Sequence, residues 1–341
     1  MKRFGIICDG GDAPGINAVI RAVSRAAFEK EHEVFGFIDG FEGLMGNDVK
    51  IITKQTVSGI LQEGGSILGI SRVNPFIDPK HNESIKENFK RNSLTMLILI
   101  GDRDTVSIAQ KLSGEGIPSI LIPKTIDNDV YGTDFTIGFD TAVSTISGAL
   151  DSLHATASTH HRLMIVETMG RETGWLALFG GLAGGADYIV IPEIPYRLED
   201  IASHIEKRKR EGKNFSIIVV AEGTKLPDEL EKNIEKDEFG HPVSGKRKIG
   251  YYIAGELEKL TKIKTRTTVL GYTQRGGVPT NADRLLAIRL GVAAVEFASK
   301  GVFNGVAGVK GSEVVFTPLE ESVGKIHTAD IEYLSLAKIF F

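Results

Sequence analysis

The run Phe4-Gly5-Ile6-Ile7-Cys8-Asp9-Gly10-Gly11-Asp12-Ala13-Pro14-Gly15 decides how the rest of the chain reads. A short apolar block is followed by a turn rich in glycine and acid. Ile16, Val19, Ile20, Val23 and Ala27 then recur at helical spacing. Buried strand, polar turn and amphipathic helix, in that order, open a strand–helix–strand unit. The pattern returns at Met96-Leu97-Ile98-Leu99-Ile100, which passes through Gly101-Asp102-Arg103-Asp104-Thr105 into a helix carrying Ile108 and Leu112. A third block, Ile120-Leu121-Ile122, ends at Pro123-Lys124-Thr125-Ile126-Asp127-Asn128-Asp129. Strands apolar on both faces and separated by helices predict a parallel sheet with right-handed crossovers. Ligands of such sheets bind beyond the carboxyl ends of the strands, where all three polar turns fall.

Other segments repeat the theme. Leu163 to Val166 reads as a strand, followed by Met169-Gly170-Arg171 and a helix through Trp175, Leu176 and Leu178. Tyr188 to Ile191 and Ser216 to Val220 are further strand candidates, the second ending in Ala221-Glu222-Gly223. Residues 224 to 249, with a Gly240-His241-Pro242 turn, are highly charged and read as a solvated helix and loop. Val269 to Gly277 leads into a long helix from Ala282. Glu206-Lys207-Arg208-Lys209-Arg210 has no interleaved aromatic and reads as a solvent-facing helix. The adjacent His160 and His161 read as packing residues, since neighbours in sequence rarely face one metal ion.

At 341 residues the chain predicts two lobes or one large α/β domain. Hydrophobic residues make up 42% and charged ones 25%, which argues against wholesale disorder. Lys and Arg number 40 against 44 Asp and Glu, so a dedicated nucleic-acid binder is not expected. The single cysteine, Cys8, excludes an intrachain disulfide framework and a Cys-rich zinc site. The apolar run after Lys2 and Arg3 is too short for a signal peptide, and no stretch reaches the roughly 18 apolar residues of a bilayer span. The expectation is a cytoplasmic protein with neither nucleic acid nor membrane as partner.

The turns are where chemistry is expected. Gly10 and Gly11 let backbone amides approach an anion, and the following helix N-terminus favours negative charge. The spacing is neither G-x-G-x-x-G nor a Walker loop, so the glycine pair alone is equally a tight turn. Asp9 sits awkwardly in a phosphate cradle, because a carboxylate repels the ligand unless a cation intervenes. In the third turn Asp127 is suited to general-base work on a sugar hydroxyl, with Thr125 orienting it and Asp129 close to a metal. Asp and Asn are also ordinary turn residues.

In combination, Gly10-Gly11-Asp12-Ala13-Pro14-Gly15, Thr125-Ile126-Asp127-Asn128-Asp129, Met169-Gly170-Arg171 and Gln274-Arg275-Gly276-Gly277 resemble the bacterial-type 6-phosphofructokinase family, over roughly residues 1 to 327. Gly138-Phe139-Asp140-Thr141-Ala142 and Gly174-Trp175 resemble its small pyrophosphate-dependent, mixed-substrate subgroup. The resemblance implies an α/β, two-lobed phosphofructokinase-like fold, each lobe a mainly parallel sheet flanked by helices, with substrate between the lobes. Residues 1–138 plus about 274–324 would form the larger phosphoryl-donor lobe, and 139–273 plus about 325–341 the smaller fructose 6-phosphate lobe. It also implies a glycolytic transferase that uses Mg2+, built as a homodimer or homotetramer with sites shared between subunits.

Carried over by position, Asp127 matches the base that deprotonates the 1-hydroxyl of fructose 6-phosphate. Thr125 matches a residue holding the transferred phosphoryl group, and Arg171 a cation steadying its charge. Met169, Gly170 and Glu222 match sugar contacts. Arg162, Arg266, Tyr272 and Arg275 match the grip on the 6-phosphate, Arg162 and Arg266 coming from a neighbouring subunit; guanidinium forks suit a phosphate dianion. Tyr272 stands where many relatives have histidine. Gly10, Gly11, Arg72, Asp102, Arg103, Asp104 and Thr105 match donor-binding positions. Arg21 and Arg25 match effector positions of allosteric relatives, whereas His154 and Glu211 depart from them, which implies weak or absent nucleotide regulation.

Donor choice falls on Asp104 and Lys124, where ATP users of the family typically carry glycine. An Asp104 carboxylate fills and charges the space of an ATP α-phosphate, which pyrophosphate does not reach, and Lys124 offers a point charge to pyrophosphate. The plain alternative is a surface ion pair between the two. Asp102 replaces a glycine, and Arg103 replaces the acid that holds magnesium; an arginine cannot ligate an ion that takes oxygen at about 2.1 Å. Either Asp102 or Asp129 holds the metal while Arg103 pairs with Asp9 or meets pyrophosphate, or the donor site is silent. The expected reaction is pyrophosphate-dependent phosphorylation of fructose 6-phosphate. The rivals are an ATP-dependent enzyme and a catalytically silent sugar-phosphate-binding or regulatory subunit. A lipid or NAD kinase is disfavoured, because those lack the arginine cluster and the Thr125–Asp129 turn.

Overall fold

The structure, a computed structural model, describes residues 1–231, 234 and 247–339. The Gly240-His241-Pro242 turn lies outside these residues. Eleven strands are described: β1 Arg3–Cys8, β2 Glu33–Phe37, β3 Val49–Ile52, β4 Met96–Gly101, β5 Ser119–Pro123, β6 Leu163–Thr168, β7 Tyr188–Val190, β8 Ser216–Ala221, β9 Thr265–Val269, β10 Gly305–Lys310 and β11 Glu313–Pro318. The chain divides into two compact units, Met1–Thr141 with Arg275–His327, and Ala142–Gln274 with Thr328–Phe341.

The first unit holds a seven-stranded sheet of order β11-β10-β5-β4-β1-β2-β3. Its five central strands run parallel, while β3 and β11 pair antiparallel at the two edges. Both faces are buried, and the side chains alternate between two cores. Phe4, Ile6, Ile98, Ile100, Ile120 and Ile122 join one with Val19 and Leu290, whereas Ile7, Leu97, Leu99 and Leu121 join the other with Ile108 and Leu112. This period of two explains why the strands read as unbroken apolar blocks. Strand order reverses between β1 and β4, and the Asp9 and Asp102 turns leave the sheet at that reversal.

The second unit carries a parallel sheet of order β7-β8-β6-β9. Leu163, Ile165, Ile218 and Val220 pack there on Ile201, Ile205, Ile253 and Leu257. The helix Leu198–Arg210 is not wholly solvent-facing as its charge run suggests. Arg208 turns inward, pairing with Asp187 at 2.6 Å and donating to Ser216 Oγ at 3.1 Å. No helix among the described residues is long and apolar enough to cross a membrane.

Asp283, in the first turn of the helix Asn281–Ser299, ties that helix to the segment entering the helix Phe139–His160. Its carboxylate accepts from Gly138 N at 2.9 Å, Thr141 N at 2.8 Å and Thr141 Oγ1 at 2.5 Å. Burial pushes this carboxyl up to about 6 against those bonds, with Asp140 adding to the rise. Between about pH 4 and 6 the folded state therefore keeps a proton that the unfolded chain releases. Stability from this group falls as pH rises through that window, by on the order of 2 to 3 kcal/mol. Urea melts across that window should show this slope in the natural chain and a flatter one in Asp283→Asn. Equal slopes would contradict the assignment.

Candidate active site

Three turns of the first unit meet because three parallel strands end in register. Cys8 pairs with Ile100, Ile100 with Ile122 and Gly101 with Pro123. Asp9, Asp102 and Lys124 are thus the first residues off neighbouring strands. Lys124 is fully buried, and its Nζ donates to the carbonyl oxygens of Asp9 (2.7 Å) and Gly11. Burial pushes its ammonium down, opposed by the carboxylates of Asp102 and Asp9. The sequence predicts that this charge faces the donor. The Lys124 ammonium braces the Asp9–Gly11 turn through those two carbonyls. The surface pair with Asp104 does not form, as Asp104 pairs with Arg72 at 3.6 Å.

Asp9 is buried and accepts from Thr105 Oγ1 at 2.7 Å. Its carboxyl is pushed up to about 7, by burial first and then by the Asp102 charge. The second turn is shorter than its sequence suggests, because Arg103 already begins the helix Arg103–Gly114. Asp102 is the N-cap: its side chain accepts from Asp104 N at 3.0 Å and Thr105 N at 3.4 Å, while its own N–H donates to Thr105 Oγ1 at 3.1 Å. This reciprocal capping box occupies the Thr105 hydroxyl that sequence assigns to the donor. Asp102 also accepts from Gly11 N at 3.4 Å. Gly10, at φ +84°, has no room for more than hydrogen, since a Cβ there would lie 2.4 Å from Asp102 Oδ2.

Arg103 does not reach Asp9. Its Nε lies 3.7 Å from Asp129 Oδ2, and both side chains are largely buried. The two carboxylates expected to hold magnesium are therefore engaged, Asp129 by a guanidinium and Asp102 by backbone amides. No group of three or more His, Cys, Asp or Glu side chains suited to a metal ion occurs among the described residues. Magnesium characteristically takes only one or two carboxylates and fills the rest of its shell with water and substrate phosphate, so Asp129 or Asp102 would hold it here in place of the acid that Arg103 replaces.

The Thr125–Asp129 turn is shaped by Asn128, whose importance the sequence reading misses. Asn128 adopts φ +53°, a conformation Asn tolerates better than most residues. Its amide donates to Asp134 O at 3.0 Å and accepts from Thr136 N at 2.8 Å, and its carbonyl meets His327 Nδ1 at 2.9 Å. Asp127 N donates to Thr125 Oγ1 at 3.1 Å, which holds the candidate base and its neighbour in one frame. Arg275 belongs to this unit: it pairs with Asp12 at 3.5 Å, and its guanidinium packs beside Gly11.

In the second unit Met169, Gly170, Arg171 and Glu222 gather at the carboxyl ends of β6 and β8. Glu222 accepts from Arg171 N at 3.3 Å, and Met169 N donates to the buried Gln274 at 3.3 Å. Arg171 takes φ +48° and Gly170 φ +137°, a sharp reversal that Glu222 and Gln274 clamp. Tyr272, on the turn after β9, is 70% exposed. Arg162 and Arg266 lie at the opposite, N-terminal edge, Arg162 just before β6 and Arg266 paired with Met164. A six-residue strand, about 20 Å, separates the two edges. Within one chain Arg162 and Arg266 do not join the Glu222 turn. His160 and His161 are exposed rather than packed.

An open α/β protein whose polar turns cluster at strand switch points is what these features define. The phosphofructokinase family model matches residues 3–298. The ATP-dependent 6-phosphofructokinase of Chloroflexus aurantiacus is 43% identical over 336 residues, covering 96% of this chain and 92% of that protein. The pyrophosphate–fructose 6-phosphate 1-phosphotransferase of Dictyoglomus thermophilum is 42% identical over 342 residues, covering 99% and 98%. Among solved structures, T-state phosphofructokinase from Pichia pastoris superposes with a TM-score of 0.84 at 30% identity. That match covers 99% of this chain and 36% of the longer Pichia chain. The chain belongs to the phosphofructokinase family.

Lys124→Met should lower the unfolding free energy by about 3 kcal/mol or more, because it leaves buried carboxylates without their cation. Asp9→Ser in the same background should restore part of the loss. Urea melts over the double-mutant cycle read this coupling, and strictly additive effects would contradict it.

Proposed function

We propose that the chain transfers a phosphoryl group from pyrophosphate to the 1-hydroxyl of fructose 6-phosphate, giving fructose 1,6-bisphosphate and orthophosphate. Asp127 carries the reading. It is 3% exposed at the carboxyl end of a central parallel strand, framed by Thr125 and the Asn128 turn. A lone pair on O1 attacks the terminal phosphorus, the bridging P–O bond breaks, and orthophosphate leaves with the bonding electrons. The O1 proton passes to Asp127. Thr125 holds the moving phosphoryl group, and Arg171 balances charge that grows as the bond breaks. Met169, Gly170 and Glu222 contact the sugar. Tyr272 and Arg275 hold the 6-phosphate together with Arg162 and Arg266 of a second copy, which explains why these two arginines sit a strand length from Glu222. A monomer binding fructose 6-phosphate at full affinity would contradict that assembly. The place of action is cytoplasmic glycolysis.

Relatives of near-equal identity are named for ATP and for pyrophosphate, so the donor is inferred from residues. Asp104 stands on the first turn of the helix Arg103–Gly114, mostly buried and beside Arg72. Its charge disfavours an ATP α-phosphate and leaves the shorter pyrophosphate unhindered. Arg72, Arg103 and the Gly11 turn braced by Lys124 supply positive potential to the donor. Magnesium, held by Asp129 or Asp102, would offset the charge on the donor's phosphates.

A coupled assay on the purified chain should give fructose 1,6-bisphosphate with pyrophosphate and not with ATP. Asp127→Ala should lower turnover about 10³-fold while fructose 6-phosphate still binds. ATP preference would overturn the donor. Sugar binding without turnover on either donor would favour a silent subunit, the reading that the Arg103–Asp129 pair supports.

A further inference from the structure

We propose that Glu193 is a positioning residue for the phosphoryl transfer, holding from behind the loop that carries Arg171. The inference rests on the reaction proposed above, in which Arg171 balances the charge of the moving group. Residues 169–174 link β6 to the helix Trp175–Ala183. Their backbone is sharply bent, with φ +137° at Gly170 and +48° at Arg171. An arginine in the left-handed region persists only where its surroundings hold it there. Thr173 donates from N and Oγ1 to Gly170 O, at 2.8 and 3.2 Å. At the front of the loop, Glu222 accepts from Arg171 N. At the back, Glu193 Oε1 accepts from Gly174 N at 2.9 Å.

Gly174 is the N-cap of the helix and has no side chain to close it, so a carboxylate from a separate segment does the closing. A Cβ at Gly174 would lie 2.7 Å from Glu193 Oε2 and 2.4 Å from Ile191 Cβ, so only glycine admits that approach. The same Oε1 accepts from Ala329 N at 2.9 Å. Ala329 leads into the helix Ile331–Ala337, which buries Leu334 and Ala337 and sets Tyr333 against Phe179, their ring centroids 4.8 Å apart. Phe179 lies on the helix that Gly174 begins, so Glu193 joins two elements already packed together. Its Oε2, shut off from solvent, has no hydrogen-bond partner among the described residues. One oxygen carries both amides while the other carries none. That arrangement is poor for stability and suited to placing the loop.

Steady-state kinetics of the full chain with pyrophosphate, beside urea melts, tests this. Glu193→Ala should lower kcat by about 10- to 100-fold, with KM for either substrate changed less than about threefold, because Arg171 acts on the transition state. Glu193→Gln, which keeps an acceptor at Oε1, should return to within about threefold of the natural kcat. Added to Arg171→Met, Glu193→Ala should slow turnover no further, since it acts through that guanidinium. A merely structural role predicts lower stability with kcat per folded molecule unchanged, or losses that multiply in the double variant, and either overturns the proposal. If Glu193→Ala does not fold, Glu193→Asp, whose carboxylate falls short of Gly174, decides by the same kcat criterion. If the natural chain turns over neither donor, the reaction fails by itself and amide hydrogen exchange decides on Glu193. Faster exchange at Arg171 N in Glu193→Ala supports the hold on the loop, and unchanged exchange there overturns it.

Discussion

One ammonium group, shut off from solvent, organises the first unit. Lys124 sits at the end of β5 with its charge on the carbonyls of Asp9 and Gly11, and with the carboxylates of Asp9 and Asp102 close by. A buried charge is tolerable only when it is paired and hydrogen-bonded, so these groups are interdependent. Their proximity follows from the register of three parallel strands, each ending at the same level of the sheet. Apolar packing on both faces fixes that register, and the register fixes the electrostatics.

The consequence is a set of turns that spend much of their polarity on one another. Asp102 takes the amides of the helix start, Thr105 gives its hydroxyl to Asp9, and Arg103 takes Asp129. Against this, Asp127 is held in its turn by Thr125 and Asn128, and Arg171 by Glu222. Under the proposed reaction these acceptor groups stand ready.

Much of the fold was open to reading because β1, β4, β5, β6 and β8 are buried on both faces, and their glycine turns punctuate them. Neither β2 nor β11 shows such a block. Glu33–Phe37 alternates between half-buried and buried, and Glu313–Pro318 is mostly half-exposed, so their antiparallel neighbours and the mixed sheet edges leave a weak signal. The turn at Gly101–Thr105 carries two superposed signals, an anion-binding strand end and an Asp-x-x-Thr helix cap. Resemblance favours the first, and the cap is what forms. Lys124 shows a related limit: spacing places it at the strand end, but only three-dimensional packing brings its ammonium onto the carbonyls of Asp9 and Gly11. Asn128 had a local signal, an Asn between two aspartates in a turn, that a left-handed conformation would explain.

The proposed transfer runs close to equilibrium, because pyrophosphate holds no large excess of transfer potential over a sugar phosphate, so the reverse direction is the sharpest probe. Phosphorus NMR of the purified chain with fructose 1,6-bisphosphate and orthophosphate should show pyrophosphate growing as the 1-phosphate resonance declines. Fructose 1,6-bisphosphate that stays intact with orthophosphate yet yields ATP when ADP is added would contradict the account.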